Sequence, residues 1–276
     1  MGKHKKFGAF VAGVAAVASL ALVGCGGSTT AASGSSADTS SASGYTLVTD
    51  GKLTVGTSAD YAPFEYMEDG EYKGFDLDLI TKIAEKLGLE VEIKNVDFDS
   101  IVPGVASGAK YDVGVASITV TPDRKKQVDF TDSYYMDDQA IVTMKSDTAV
   151  TADNYAEALN SADVKIAVQS GSTAEAFAKE NFLKATLMPF KDATDCYSAL
   201  QAGQANAIVS NRSVAGQMVA GNFDNEQVIK QISTGEEYSI AVGKDNTALK
   251  DAINDAIKEL TDDGTIDALM AQYNIK

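Results

Sequence analysis

Apolar positions in residues 45–276 follow two alternating periodicities, which together predict an α/β fold. Short apolar or alternating runs predict strands, and apolar residues at helical spacing predict the helices between them. In chain order these elements fall at residues 53–56 (strand), 75–87 (helix), 89–93 (strand), 101–106 (helix) and 111–116 (strand). This βαβαβ order favours parallel strand pairing, so the first part of the chain is predicted to be an α/β unit.

The same order begins again after Asp147 and predicts a second α/β unit. Its elements fall at residues 164–168 (strand), 174–181 (helix), 186–190 (strand), 192–202 (helix) and 207–209 (strand). A further strand at 238–242 precedes a long C-terminal helix with one apolar stripe, formed by Leu249, Ile253, Ile257 and Leu260. Two similar units and a terminal segment predict a bilobed protein with a cleft. Periodicity alone predicts no function.

The first 24 residues have the pattern of a secretion signal. Lys3, Lys5 and Lys6 precede residues 7–23, which carry no charge. The segment Leu22-Val23-Gly24-Cys25 resembles the lipobox of bacterial lipoproteins, which implies cleavage before Cys25 and acylation of its thiol. The alternative is an uncleaved membrane anchor with an incidental cysteine.

Residues 25–44 are almost entirely Gly, Ser, Thr and Ala, which predicts a flexible linker. No second apolar run is long enough to span a bilayer. We therefore expect a folded body that touches the membrane only through a lipid anchor, on the outer face of the cytoplasmic membrane, in an extracellular or periplasmic setting.

Composition excludes several kinds of chemistry. With 39 acidic and 23 basic residues the net charge is −16, which disfavours nucleic-acid binding. The only histidine, His4, would be lost with the signal, and acylation of Cys25 would leave Cys196 alone. We therefore expect no disulfide, no Cys/His metal site, no His-based catalytic pair and no cofactor. Cys196 shares a helical face with Ala193 and Leu200, which predicts a buried structural thiol.

Two strand ends open into helix starts that can bind an anion. Thr121 is a predicted N-cap with Pro122 at the first helical position, and Arg124 would project from that turn. The guanidinium and the helix N-terminus both favour a carboxylate ligand. An ordinary surface arginine near Asp123 or Asp129 is the alternative.

The matching element is the segment Gln169-Ser170-Gly171-Ser172-Thr173-Ala174-Glu175, in which Ser172 and Glu175 fit a capping box. The alternative is that this segment only caps the helix and binds no ligand. Two such turns at the carboxyl ends of strands in opposing lobes make a ligand site the stronger interpretation. Tyr61 and Phe98 lie in loops at the same end of the sheet, where their rings could hold a small molecule.

A set of motifs in fixed order carries a family resemblance. They are Tyr61-Ala62-Pro63-Phe64-Glu65, Gly74-Phe75-Asp76-Leu77-Asp78-Leu79, Ser117-Ile118-Thr119-Val120-Thr121-Pro122-Asp123-Arg124-Lys125-Lys126, Val128-Asp129-Phe130-Thr131, Gln169-Ser170-Gly171-Ser172-Thr173 and Asp263-Gly264-Thr265. Together they resemble the polar amino-acid solute-binding proteins of ABC importers, the relatives of glutamine- and histidine-binding proteins. The likeness covers nearly all of residues 50–275.

The resemblance implies a two-lobed periplasmic-binding-protein fold of type II. Each lobe would be a mainly parallel sheet flanked by helices, with the ligand cleft between the lobes. The lobes would comprise residues 45–135 with 239–276, and residues 139–235, with chain crossings near 134–138 and 236–239.

It also implies roles for nine residues, in addition to Asn211. Arg124 would bind the ligand α-carboxylate with Thr119 and Thr173, and Ser117 would present backbone groups to the ammonium. Tyr61 and Phe98 would pack on the ligand. The positions that resemble side-chain selectors are Ser58, Gln169 and Ser210, all neutral and polar, so we expect a neutral or modestly polar amino acid.

Asn211 departs from the family pattern, in which an Asp at this place pairs with the ligand ammonium. One interpretation is a conservative replacement, with a nearby acid such as Glu65 supplying the charge. The other is a ligand whose amine is absent or modified. An amide accepts a hydrogen bond but carries no charge for a buried ammonium.

The expected function is capture of an amino acid by lobe closure and delivery to a permease, by a monomer without enzymatic activity. Two alternatives stay open. One is an enzyme like the cyclohexadienyl dehydratases, for which Glu65 is the only nearby acid that the sequence indicates. The other is a sensory receptor that presents its ligand to a membrane protein.

Overall fold

The computed structural model describes residues 44–275. Within that range the strands are Lys52–Thr57 (β1), Asp60–Tyr61 (β2), Glu65–Glu68 (β3), Glu71–Lys73 (β4), Glu90–Asn95 (β5), Val113–Gly114 (β6), Asp129–Phe130 (β7), Tyr135–Met144 (β8), Lys165–Gln169 (β9), Thr186–Phe190 (β10), Ala207–Asn211 (β11), Glu226–Tyr238 (β12) and Ala241–Val242 (β13). The helices are Phe75–Leu87 (α1), Phe98–Ala106 (α2), Pro122–Lys125 (α3), Tyr155–Ala158 (α4), Thr173–Asn181 (α5), Ala193–Gln201 (α6), Arg212–Ala220 (α7), Thr247–Asp262 (α8) and Thr265–Gln272 (α9).

Two five-stranded sheets define two lobes. The first sheet has the order β5-β1-β6-β13-β7, and the second has the order β10-β9-β11-β8-β12. In each sheet the first three strands are parallel, and the next strand, β13 or β8, runs against its neighbours on both sides. Both lobes are therefore mainly parallel sheets with one reversed strand, in agreement with the predicted fold class.

The chain passes from the first sheet to the second between β7 and β8, and returns between β12 and β13. Strands β8 and β12 pair with each other, and Tyr135 lies opposite Tyr238 next to the two crossings. Their rings pack against each other and against Phe64 at centroid distances of 5.2 to 5.7 Å. This aromatic cluster fills the space where the two lobes meet.

Helix α1 packs closely on the first lobe because Gly74 precedes it. Gly74 has φ of 125°, and an added Cβ would lie 2.1 Å from the carbonyl oxygen of Phe64. On its buried side α1 packs against α8. The predicted stripe of α8 is buried, with Leu249 and Ile253 fully inaccessible to solvent.

Several elements differ from the sequence prediction. The predicted strand at 238–242 is interrupted, because β12 ends at Tyr238 and β13 begins at Ala241 where the chain changes sheets. The long strands β8 and β12 and the small sheet β2-β3-β4 were not predicted, since their side chains lack a clear period. Cys196 is buried on α6, as predicted.

The predicted signal at residues 1–24, the lipidation site Cys25 and all of the predicted linker except Gly44 lie outside the described residues. Across residues 44–275, no helix combines the length and the apolar character that crossing a membrane requires.

Candidate ligand-binding cleft

The start of α3 places Arg124 between the lobes. The Thr121 hydroxyl accepts a hydrogen bond from the Arg124 backbone N–H at 3.2 Å, which is the predicted N-cap. The guanidinium donates to the Thr119 carbonyl at 2.7 Å and, across the cleft, to the Gly171 carbonyl at 3.0 Å. It also lies 5.3 Å from the ring centre of Phe98. Both lobes therefore fix the orientation of this side chain.

Arg124 is not the ordinary surface arginine that the sequence left open. The two acids proposed as its partners form ion pairs elsewhere, Asp123 with Lys126 and Asp129 with Lys250. Burial lowers the pKa of Arg124 to about 10, although the nearby charge of Glu236 opposes this effect. A half-buried arginine that lines a cleft is suited to bind an anionic group.

The second predicted turn forms around Gly171. The Ser172 hydroxyl accepts from the Glu175 N–H at 3.1 Å, and the Glu175 carboxylate accepts from the Gly171 N–H at 2.8 Å. Gly171 has φ of +73°, and an added Cβ would lie 2.7 Å from Cβ of Asp99 in the first lobe. The glycine therefore allows the closest backbone approach between the lobes at this end of the cleft.

Glu236 lies beside the cleft, hydrogen-bonded to groups of both lobes, and sequence reasoning assigned it only to a chain crossing. Its Oε2 accepts hydrogen bonds from the Thr119 hydroxyl at 2.7 Å, the Thr173 hydroxyl at 2.7 Å and the Asn211 amide at 3.1 Å. We call these four residues and Arg124 the Arg124 cluster. No local sequence signal marks Glu236, because its partner Thr119 is 117 residues away in the chain.

Asn211 links the Arg124 cluster to the aromatic wall of the cleft. Its side-chain oxygen accepts from the Tyr61 hydroxyl at 2.7 Å, while its amide donates to Glu236. Asn211 stands at the N-cap of α7 but makes no side-chain capping bond there. A residue type that commonly caps helices thus uses its side chain in the cleft instead.

The acid proposed as a substitute charge for Asn211 has other partners. Glu65 accepts from the Ser117 hydroxyl at 3.1 Å and lies within hydrogen-bonding reach of Asp76. Burial, together with the charge of Asp76, raises the pKa of Glu65 well above its ordinary value. Because two buried neighbouring carboxyls resist double ionisation, this pair favours the protonated form of Glu65. The acid in contact with Asn211 is Glu236.

Ser117 has a strained backbone that the same pair of acids maintains. Its φ is +48°, which is uncommon outside glycine, and its N–H donates to Asp76 at 2.7 Å. Because that N–H is used within the first lobe, the carbonyl is the backbone group that Ser117 offers to a ligand.

At the other end of the cleft, Asp60 is a second acid that sequence reasoning missed. Its carboxylate accepts from the Ser58 hydroxyl at 2.9 Å, from the Gln169 amide at 3.5 Å and from the Ala193 backbone N–H. Ala193 is the first residue of α6, so an acid of the first lobe caps a helix of the second. Burial raises the pKa of Asp60 to about 6. We call Asp60, Ser58, Gln169, Ser210 and Ala193 the Asp60 cluster.

Two small adjoining cavities run between these clusters. One is lined by Tyr61, Phe98, Ser117, Thr119, Arg124, Gln169, Ser172, Thr173 and Asn211, and the other includes Ser210, Ala193 and Tyr197. Nine of the ten predicted binding residues line one or both cavities. Ser58 lies behind Asp60 and lines neither.

The fold and the cleft define a two-lobed binding protein in which polar groups of both lobes face an enclosed site. Residues 53–276 match the model of the bacterial extracellular solute-binding proteins, family 3. The chain belongs to this family, which confirms the resemblance to polar amino-acid solute-binding proteins.

Two relatives show how widely this similarity extends. The chain is 32% identical to the arginine-binding extracellular protein ArtP of Bacillus subtilis, over 94% of this chain and 95% of that protein. It is also 32% identical to a probable histidine-binding protein of Campylobacter jejuni, over 81% of this chain and 85% of that protein.

Solved structures show the same fold. An ancestral arginine-binding protein bound to arginine is 37% identical, with a TM-score of 0.76, over 81% of this chain and 98% of that chain. An ancestral arginine-binding protein bound to glutamine gives a TM-score of 0.77 at 37% identity, over 83% of this chain and 100% of that chain. An ancestral amino-acid-binding protein, a precursor of cyclohexadienyl dehydratase, gives a TM-score of 0.75 at 35% identity, over 81% of this chain and 95% of that chain.

Proposed function

We propose that the protein captures a free amino acid in the cleft between its lobes and delivers it to the permease of an ABC importer. The observation that carries this proposal is the convergence of Arg124, Thr119 and Thr173 from both lobes. A guanidinium and two hydroxyls form a donor set for a carboxylate. Relatives named for arginine and histidine binding support an amino acid as the molecule that carries it.

The Asp60 cluster receives the ligand side chain in this proposal. Gln169 and Ser210 favour a neutral polar side chain, and Asp60, to which the Ser58 hydroxyl donates, adds an acceptor that favours side chains with hydrogen-bond donors. A side-chain amide fits this description first. Asp60 makes a cationic side chain the second candidate, which agrees with ancestral arginine-binding proteins that are bound to arginine in one solved structure and to glutamine in another.

A thermal-shift screen of the purified protein against the common amino acids and their deaminated and N-methylated analogues tests the proposal. A ligand at about a thousand times its dissociation constant adds roughly 4 kcal/mol, which gives a shift of several degrees. We expect shifts with glutamine or arginine and none with glutamate, because Asp60 would repel its side chain. Shifts only with analogues that lack an ammonium would instead make Asn211 the specificity determinant. The absence of a thermal shift with every compound would contradict the proposal.

Binding without catalysis is part of the same proposal. The acids near the cleft are Asp60, Glu65 and Glu236, which widens the set that the sequence indicated. Each accepts hydrogen bonds from protein groups, an arrangement that holds a side chain still rather than presenting an acid to a substrate. Prephenate incubated with the protein should stay intact, and its turnover would support a dehydratase instead. Loss of uptake in a deletion strain separates transport from a sensory role.

Membrane attachment and domain limits complete the proposal. A signal at residues 1–24, acylation of Cys25 and a linker through residue 44 would tether a monomer to the outer face of the membrane. Replacement of Cys25 by Ser should release the protein from the membrane fraction. The limits of the lobes, 45–135 with 239–276 and 139–235, follow the two places where the chain changes sheets.

A further inference from the structure

The carboxylate of Glu236 accepts hydrogen bonds from the groups proposed to hold the ligand carboxylate. The hydroxyls of Thr119 and Thr173 both donate to its Oε2, and Arg124 is close enough for Glu236 to affect the pKa of its guanidinium. Each threonine hydroxyl has one proton and can donate to one acceptor. While Glu236 is in this position, neither hydroxyl is available to a second carboxylate.

The donors to Glu236 also come from both lobes. Thr119 belongs to the loop between β6 and β7 of the first lobe, whereas Thr173 and Asn211 belong to α5 and β11 of the second. Glu236 itself lies on β12, next to the return crossing, and is only 8% exposed. One carboxylate therefore connects the two lobes, as the carboxylate of a bound ligand would.

The other oxygen of Glu236 has partners outside the proposed ligand site. Its Oε1 accepts from the side-chain amide of Gln139 and, at 3.4 Å, from the hydroxyl of Thr234. The side chain can therefore release Thr119, Thr173 and Asn211 and still be held through Oε1.

We propose that Glu236 is a tethered carboxylate that competes with the ligand carboxylate for Thr119 and Thr173, and that holds the lobes together when no ligand is bound. The inference rests on the proposed function, because that function supplies the competing carboxylate. It also explains Asn211, whose amide donates to Glu236 at 3.1 Å. An aspartate at position 211 would place a second carboxylate at hydrogen-bonding distance from the first, where like charges repel.

The test compares Glu236→Gln, which removes the charge, and Glu236→Ala, which removes the acceptor. Glu237→Gln is the matched control, since the adjacent Glu237 is exposed on the same strand. Isothermal titration calorimetry measures the dissociation constant of the amino acid found in the screen, and small-angle X-ray scattering measures the radius of gyration without ligand. Thermal unfolding establishes that each variant is folded.

Removal of the competitor should tighten binding. If nine-tenths of the unliganded molecules hold Glu236 in the site, its loss lowers the dissociation constant about tenfold. We expect this for Glu236→Ala and a smaller change for Glu236→Gln, whose amide oxygen still accepts from the threonines. The unliganded Glu236→Ala protein should be more expanded than the parent, and Glu237→Gln should match the parent in both measurements.

Two results overturn the inference. Weaker binding in both Glu236 variants would make Glu236 a direct partner of the ligand rather than its competitor. An unchanged radius of gyration and an unchanged dissociation constant in Glu236→Ala would show that the contact has no effect. If no amino acid binds any variant, the proposed function fails, and the scattering comparison still decides whether Glu236 holds the lobes together.

Discussion

The charged groups at the two ends of the cleft have different kinds of partner. In the Arg124 cluster, the half-buried cation has the carboxylate of Glu236 nearby, and three side-chain donors from both lobes satisfy that carboxylate. In the Asp60 cluster, the acid accepts from neutral groups, and within residues 44–275 no lysine or arginine forms an ion pair with it. Burial accordingly raises the pKa of Asp60 to about 6.

We infer from this difference that the two clusters contribute differently, the Arg124 cluster to affinity and the Asp60 cluster to selectivity. The Arg124 cluster is satisfied within the fold, so under the proposed function a ligand carboxylate would replace that of Glu236 and gain little specificity. The Asp60 cluster has an acceptor whose charge is unbalanced, so a side chain that brings donors gains most there. We expect the first cluster to set how tightly amino acids bind and the second to set which one is preferred.

The largest effect is expected from Arg124→Ala. A buried guanidinium that pairs with a ligand carboxylate contributes about 2 to 5 kcal/mol, so its loss should weaken binding at least thirtyfold by calorimetry. Lys125→Ala is the control, because this neighbouring lysine is exposed on the same short helix. A loss below fivefold in Arg124→Ala would mean that the ligand is bound mainly at the other end of the cleft.

Gly171→Ala should weaken binding about tenfold, because the new Cβ would meet Cβ of Asp99 at 2.7 Å when the lobes are together. Gly203→Ala is the matched control: Gly203 has φ of +69° and no atom within 4 Å of an added Cβ. Both variants should lose about 1 kcal/mol of stability from the positive φ. Equal ligand affinities in the two variants would contradict a lobe contact at Gly171.

Asp60→Asn should change both selectivity and the pH dependence of stability. The pKa of Asp60 is about 6 in the fold against 3.8 for the ordinary group, so its contribution favours folding below pH 3.8 and is lost as the pH rises through 6. Because one pKa unit corresponds to about 1.4 kcal/mol, the variant should be more stable than the parent by about 3 kcal/mol at pH 7.5, with the gain absent at pH 3.5.

The same variant tests the side-chain preference. Replacement of the carboxylate should weaken a cationic ligand about tenfold and a neutral amide ligand by less than threefold. Thermal melts at both pH values and calorimetry with arginine and glutamine measure these effects. A stability gain that does not depend on pH would place the cause in packing rather than in the charge of Asp60.

Lys191→Ala should have the smallest effect. Lys191 forms an ion pair with Asp97 across the rim of the cleft, and the side chains are 72% and 43% exposed. Exposed pairs contribute little because water and salt screen them, so the dissociation constant should change less than threefold. Lys126→Ala, which breaks an exposed pair with Asp123 on α3, serves as the control for general loss of surface charge.

The sequence by itself determined the parts of this protein that depend on near neighbours. Thr121 and Ser172 cap their helices three residues ahead, and both caps form as predicted. Helix α1 and strand β10 have the predicted limits, because their periodicity and end signals lie within the segments themselves. Nine of the ten residues that the family resemblance predicts for ligand binding line the two cavities.

Only the tertiary structure decided which acids lie beside the cleft. Glu236 contacts Thr119 across 117 residues, and Asp60 caps a helix that begins 133 residues later. No spacing rule connects such positions, since they meet only after two sheets have formed and the chain has crossed between them twice. For the same reason the sequence did not predict the pairing of β8 with β12, because this pairing joins segments that are far apart in the chain.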